Sequence, residues 1–315
     1  MAVTTPPAME LIEGDLRGSR TTSIWRDTLG NLLRQRNAVI GGAILAFFVV
    51  VAVFADVIAS YDPNAILISS ERGAKKLAAP CIHALGCAAA QPEHYFGIDG
   101  NVRDVFSRVV HGTRVSLRIG FLTVGFAIVI GGLIGALAGY AGGKIDNFLM
   151  RIMDVLLAFP SLLLAIAIVT VLGSGLLNAQ LAIGVVAIPV YARIMRGSVL
   201  SIRERDFVTA SRALGESSYG LLGRRIIPNA LTPLIVQGTL GIAAAVLDVA
   251  ALSFLGLGAQ PPQAEWGSMI GLARNTIFAA PHLVIFPGVA LALTVLAFNL
   301  LGDGLRDALD PRLNR

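Results

Sequence analysis

Charge is scarce in this chain. Of its 315 residues only 14% are Asp, Glu, Lys or Arg, against roughly 25% in ordinary soluble domains. Hydrophobic residues make up 55% and the mean hydropathy is +0.73. So little charge cannot cover a water-exposed surface, and the chain is expected to keep most of its surface in lipid. Histidine is scarce too: His83, His94, His111 and His282 are scattered, with no H-E-x-x-H among them. No metal site is therefore expected. A phosphate-binding G-x-x-x-x-G-K-[ST] is also missing. The Gly143–Lys144 pair is followed by Ile145, and Ala138 stands where the first glycine belongs. No G-x-S-x-G nucleophile elbow occurs. The chain is expected to carry no catalytic residue and no cofactor of its own. The net charge of +5 does not point to nucleic acid, because the basic residues lie between apolar runs rather than in one patch. No secretory signal is expected, since a long mixed polar stretch precedes the first apolar run.

What is abundant is long apolar sequence. A spanning helix needs about 20 mostly apolar residues, and six candidates are present: Val39–Ile58, Ile119–Ala141, Val155–Leu172, Leu176–Ala192, Leu234–Leu257 and Leu283–Leu301. The expected fold is an all-α integral membrane protein with six transmembrane helices. Of the 25 Lys and Arg, 17 fall on the side that holds both termini and the 193–225 segment. The positive-inside rule places that side in the cytoplasm. The expected organisation is a cytoplasmic segment 1–37, a first span 38–59 and an external segment 60–115. A core of five spans follows over 116–304, with a cytoplasmic segment 197–230 and an external loop 256–282, and then a cytoplasmic tail 305–315.

The only cysteines, Cys81 and Cys87, share the external segment. They are either a disulfide closing a small loop, as an oxidising compartment permits, or two reduced thiols. In the second span Gly131, Gly135 and Gly139 form a doubled G-x-x-x-G, which lets another helix come close. The expected contact is within the subunit, the alternative a partner subunit. Asp248 interrupts the fifth span. A carboxylate at depth is costly and faces a cavity or a partner, so it is either near a solute path or bound to another helix. Asp248 and Ser253 are the candidates for a translocation path or gate.

The stretch from Arg203 to Pro228 is the most informative. Phe207, Ala210, Ser211 and Leu214 recur at helical spacing, which predicts a short amphipathic helix. Gly215 is placed to end it in a left-handed cap. Ser217 or Ser218 caps a second helix running to Ile227, and Pro228 is expected to break the chain before the fifth span. The result is a helix–glycine–helix elbow facing the cytoplasm, too long for an idle connection.

These residues resemble the cytoplasmic E-A-A loop of membrane subunits of binding-protein-dependent ABC importers. The triplet here is Thr209-Ala210-Ser211, followed by Gly215 and by Ile227-Pro228. Residues 94–117 are similar to that family's H-x-x-G-T-D-x-x-G-R-D-x-x-S-R-x-x-x-G-x-R-x-S-L, with Ile98 and Val102 in place of its Thr and Gly. The stretches 252–270 and 296–313 narrow the resemblance to the second membrane subunit, the dipeptide-permease C type, of the dipeptide/oligopeptide/nickel branch. The resemblance implies the type I importer permease fold in the inner membrane of a prokaryote. It implies a heterodimer with a second homologous permease, two ATP-binding cassette subunits that bind ATP and magnesium, and an external solute-binding protein. The ATPase would contact Asp206, Phe207, Thr209, Ala210, Ser211, Arg212, Leu214, Gly215 and Glu216. The implied cargo is a di- or oligopeptide, with nickel chelates or glutathione as alternatives. A stand-alone secondary transporter would need inverted repeats, and none is visible.

Overall fold

The computed structural model describes residues 30, 32–68, 71 and 73–309. Arg17, Arg20, Arg26, Arg312 and Arg315, counted above for orientation, lie outside the described residues. Among those described, the chain is helical, and its only β pairing is two isolated bridges, Cys81 with His94 and Ile98 with Asp104.

The helices in chain order are α1 (Arg36–Val53), α2 (Ala55–Ile58), α3 (Val105–Ala141), α4 (Gly143–Leu157), α5 (Ser161–Leu172), α6 (Leu176–Arg203), α7 (Asp206–Ala213), α8 (Ser218–Phe254), α9 (Trp266–Ala273) and α10 (His282–Leu309). Five of them, α1, α3, α6, α8 and α10, are long and apolar enough to cross a membrane. A sixth span results if α4 and α5 count as one. At α1, Phe47, Val50 and Val53 are all more than half exposed. In a membrane protein that surface is covered by lipid tails, for which Phe and Val are well suited.

Two expectations need correcting. Val155–Leu172 is not one continuous helix: α4 and α5 meet at 91°. Pro160, ahead of α5, cannot continue a helix and forces its predecessor out of the helical region. With 12 residues, α5 measures about 18 Å, well short of the ~30 Å hydrocarbon core. Nor does Pro228 break the chain. A π-helical turn over Leu221–Ile226 runs directly into the helix that contains it. The wider turn leaves carbonyls that need no partner from the missing Pro228 amide, and the helix continues. The second, fourth and fifth spans also extend beyond their apolar runs. Thus α3 starts at Val105, α6 ends at Arg203 and α8 starts at Ser218.

Glycines set the helix packing. A Cβ at Gly131 would lie 2.6 Å from the Ile188 carbonyl oxygen, and one at Gly139 2.9 Å from that of Arg196. At Gly135 it would strike the Ala192 carbonyl oxygen. The doubled G-x-x-x-G therefore seats α3 on α6 of the same chain, as expected. Asp146 of α4 receives two hydrogen bonds from Arg196 of α6, at 2.5 and 2.6 Å. Such a bidentate pair fixes α4 in angle as well as position.

The outer side is also cross-tied. Arg114 of α3 donates to the Ala52 and Val53 carbonyls at the end of α1, and to Asp56 at 3.0 Å. A cation there also meets the negative end of the helix dipole. Trp266, fully buried, donates from Nε1 to the Val109 carbonyl at 3.0 Å and joins α9 to α3.

Candidate functional site

The Arg203–Pro228 elbow is built on one turn of glycine geometry. Gly215 has φ +85°. Its N–H donates to the Arg212 carbonyl at 3.0 Å, and the Glu216 N–H to that of Ser211 at 3.2 Å. This pair of bonds is a complete Schellman motif, which closes α7 and turns the chain back. Ser217 then caps α8 by accepting from the Gly220 N–H at 3.2 Å. Glu216 accepts from Arg225 at 3.1 Å and braces the turn.

Only Val208 of α7 is buried, in a cluster with Val199, Ile202, Leu221 and Ile226. Asp206, Phe207, Thr209, Ala210, Arg212, Leu214 and Gly215 are exposed, with Ser211 and Glu216 half-buried. The helical spacing noted in the sequence thus marks the free face, while the anchor, Val208, stands outside it. Leu214 is 89% and Tyr219 91% exposed, at the tip of the elbow.

Asp248 is half-buried in α8 and has no hydrogen bond or ion pair among the described residues. The helix-to-helix bond that would have given it a packing role is absent. Ser253, five residues on, is buried and occupied. Its Oγ accepts from the Ala259 N–H at 3.1 Å, and it lies close enough to Glu265 to help lower that carboxyl. Glu265, 1% exposed, caps α9 by accepting from the Gly267 and Ser268 N–H groups, both at 2.8 Å. Burial pushes its carboxyl up, and these donors pull it back.

Segment 60–115 contains a polar cluster that had no assigned role in the sequence. His94 lies between two acids, Nδ1 at 2.8 Å from Asp104 and Nε2 at 3.2 Å from Glu71. Asp104 also caps α3, accepting from the Ser107 N–H at 2.7 Å. Tyr61 stacks on the His94 ring at 5.1 Å and donates to Glu71 at 2.9 Å. Burial opposes charge on His94, but Asp104 and then Glu71 outweigh it and raise its pKa. Burial and Glu71 together raise the Tyr61 hydroxyl far above the usual range. Nearby, Asp99 takes Arg103 Nε at 2.8 Å, and buried Arg108 donates to the Pro63 and Pro262 carbonyls at 2.8 and 3.2 Å. The polar letters of the 94–117 motif thus clamp the external segment onto the start of α3. Cys81 and Cys87 form a disulfide, with Cα atoms 5.4 Å apart, beside this cluster.

Comparison with known proteins now has a geometry to attach to. Residues 131–315 match the family model described as binding-protein-dependent transport system inner membrane component. Residues 23–80 match the N-terminal TM domain of oligopeptide transport permease C. The dipeptide transport system permease protein DppC of Alkalihalophilus pseudofirmus is 43% identical over 92% of this chain and 91% of that protein. The di/tripeptide transport system permease protein DppC of Pseudomonas aeruginosa is 45% identical over 87% and 88%. The glutathione transport system permease protein GsiD of Pectobacterium atrosepticum is 40% identical over 95% and 94%. Among solved structures, an inward-facing MetNI methionine ABC transporter aligns with TM-score 0.53 and 22% identity, over 64% of this chain and 97% of that one. That likeness concerns fold. With a family model over more than half of its length and relatives matched nearly end to end, this chain belongs to the inner membrane components of binding-protein-dependent transport systems, as a multi-pass permease.

Proposed function

We propose that this permease moves di- or oligopeptides inward, driven by ATP-hydrolysing subunits on separate chains that seat on the Arg203–Pro228 elbow. The observation that carries the mechanical part is the elbow itself. It is a rigid turn, anchored by Val208 and closed by Gly215, that presents Phe207, Leu214 and Tyr219 to the cytoplasm. Exposed apolar and aromatic groups on a rigid turn fit a groove in a partner. Two nucleotide-binding subunits closing on ATP would push α7. Because α7 is continuous with α6 through Arg205 and with α8 through Ser217, the push reaches the spans as a rigid-body movement. Hydrolysis is the partners' work, and ATP and magnesium belong to them.

A heterodimer with a second, similar permease supplies the other half of the path, and an external solute-binding protein delivers the cargo. Asp248 and Ser253 remain assigned to the path. Asp248 is its polar lining and Ser253 the support of the outer loop through Ala259 and Glu265. The cytoplasmic placement of segment 1–37 and tail 305–315 follows from the distribution of Lys and Arg.

Peptide is the preferred cargo because the two dipeptide-type relatives are 43% and 45% identical. Glutathione is the second reading, supported by the relative at 40% identity. The test is co-purification of the tagged chain with an ATPase, followed by uptake of labelled dipeptides, tripeptides and glutathione. Purification without any ATPase sinks the mechanical reading, and uptake of glutathione alone sinks the peptide reading.

A further inference from the structure

A cavity of about 430 Å³ opens on the outer side of the chain, between the end of α8, the loop after it and the far end of α9. Its size is that of a small-ligand pocket. Phe254, Leu255 and Leu272 give it apolar wall. The polar groups divide sharply into occupied and free. Ser253 accepts from the Ala259 N–H and Ser268 donates to the Glu265 carbonyl. Gln260 spends its amide hydrogens on the Gly256 and Gly258 carbonyls, at 2.9 and 3.0 Å. Arg274 and Asn275 are exposed, and among the described residues neither side chain has a hydrogen-bond or ion-pair partner.

Arg274 is the only charged residue in the lining, which contains no Asp or Glu. The neighbouring cavity differs: there Arg103 is paired with Asp99, and Arg108 is spent on backbone carbonyls. The free capacity of the Arg274 cavity is therefore a fork of N–H donors with a positive charge beside an amide. That set matches a carboxylate bidentately. Phe254, the last α8 residue in the lining, stands six residues beyond Asp248 on the same helix, a rise of about 9 Å.

We propose that Arg274, assisted by Asn275, forms an entry subsite that takes the C-terminal carboxylate of a peptide as it leaves the binding protein. The apolar wall of Phe254, Leu255 and Leu272 receives the adjoining side chain. The proposal rests on the peptide reading given above and assigns one end of that peptide to one end of the path. An ionised pair formed at the mouth lowers the barrier to leaving the binding protein without affecting how that protein docks.

The experiment uses the complete importer in proteoliposomes, with binding protein shown by calorimetry to be loaded with either a dipeptide or its C-terminal amide. Arg274→Gln is expected to lower kcat for the dipeptide about tenfold, the worth of one charge-assisted contact. The KM for loaded binding protein should be unchanged and basal ATP hydrolysis intact. Arg274→Lys, which keeps the charge but loses the fork, should recover only part of the rate, and wild type should move the amide at the Arg274→Gln rate. A change in KM in place of kcat, an unaltered kcat, or loss of the companion permease from purified Arg274→Gln importer each overturns the subsite. Wild type that moves dipeptide and amide equally sinks the subsite alone. Wild type that moves no peptide sinks the peptide reading and the subsite with it.

Discussion

At the scale of single residues, the two kinds of fixed point in this molecule are glycines without room and a histidine with too many acids. At Gly135 a side chain would have to displace the Ala192 backbone itself, which cannot move without moving α6. Gly135→Leu is expected to cost at least the 1–3 kcal/mol usual for overpacking. It should lower the yield of monodisperse protein in detergent. Gly125→Ala, on the same helix with nothing within 4 Å, is the control and should be silent. Equal yields for both variants would mean that α3 does not rest on α6 as described. At His94 the sign follows from the raised pKa. The folded segment binds the proton more tightly than the unfolded one does. Its stabilisation is therefore complete below the ordinary value of 6.5 and is lost as pH rises through the folded value. The gap in melting temperature between wild type and His94→Gln should close in alkaline buffer. A gap as wide there as in acid would show that the imidazolium contributes nothing. Val102 adds a local cost. It holds φ +59°, where the family motif has glycine, and a β-branched residue is poorly suited to that region. It is also 1% exposed and packs with Leu67 and Ile98, so burial offsets the strain.

At the scale of elements, what could be foreseen depended on whether the signal was local. The spans of α1, α3, α6, α8 and α10 were legible because each is a long apolar run. The α7 turn was legible because Gly215 and the spacing around it encode a Schellman ending within a few residues. Hydropathy carries no direction, so Val155–Leu172 looked like one span although its helices diverge by 91°. Pro228 looked like a break because the π turn ahead of it has no sequence mark. The His94 cluster was illegible for another reason: Glu71 and His94 are 23 residues apart and meet only through the folded segment. The same logic sets the prediction for the elbow. Proline cannot adopt the φ of +85° that Gly215 holds, since its ring fixes φ near −65°. Gly215→Pro should leave the chain inserted and paired with its companion while abolishing uptake and its stimulation of ATP hydrolysis. Normal uptake in that variant would show that the turn does not transmit the push.

For the molecule as a whole, the apolar surface serves lipid contact and, in the proposed heterodimer, contact with the second permease, and polar residues separate the two. Lipid tolerates no bare carboxylate, so the face of α8 that carries Asp248 looks onto water or onto another protein chain. Gln237, half-buried three turns earlier on the same helix, lies on that face too. In the proposed path between two permeases that stripe lies in a water-filled gap, with the elbow at its inner end and the Arg274 cavity at its outer end. If so, Asp248 acts by its charge and not by its shape. Asp248→Asn keeps the shape and removes the charge, while Asp248→Leu removes both. Both variants should assemble, because the residue holds no bond within the chain. Uptake should fall in each, further in Leu, since a greasy side chain also dewets the gap. The pair is measured as initial uptake rate normalised to purified importer. Normal rates in both variants would remove Asp248 from the path. Failure of both to co-purify with the companion would place the carboxylate in the subunit interface, bound to a donor on the other permease.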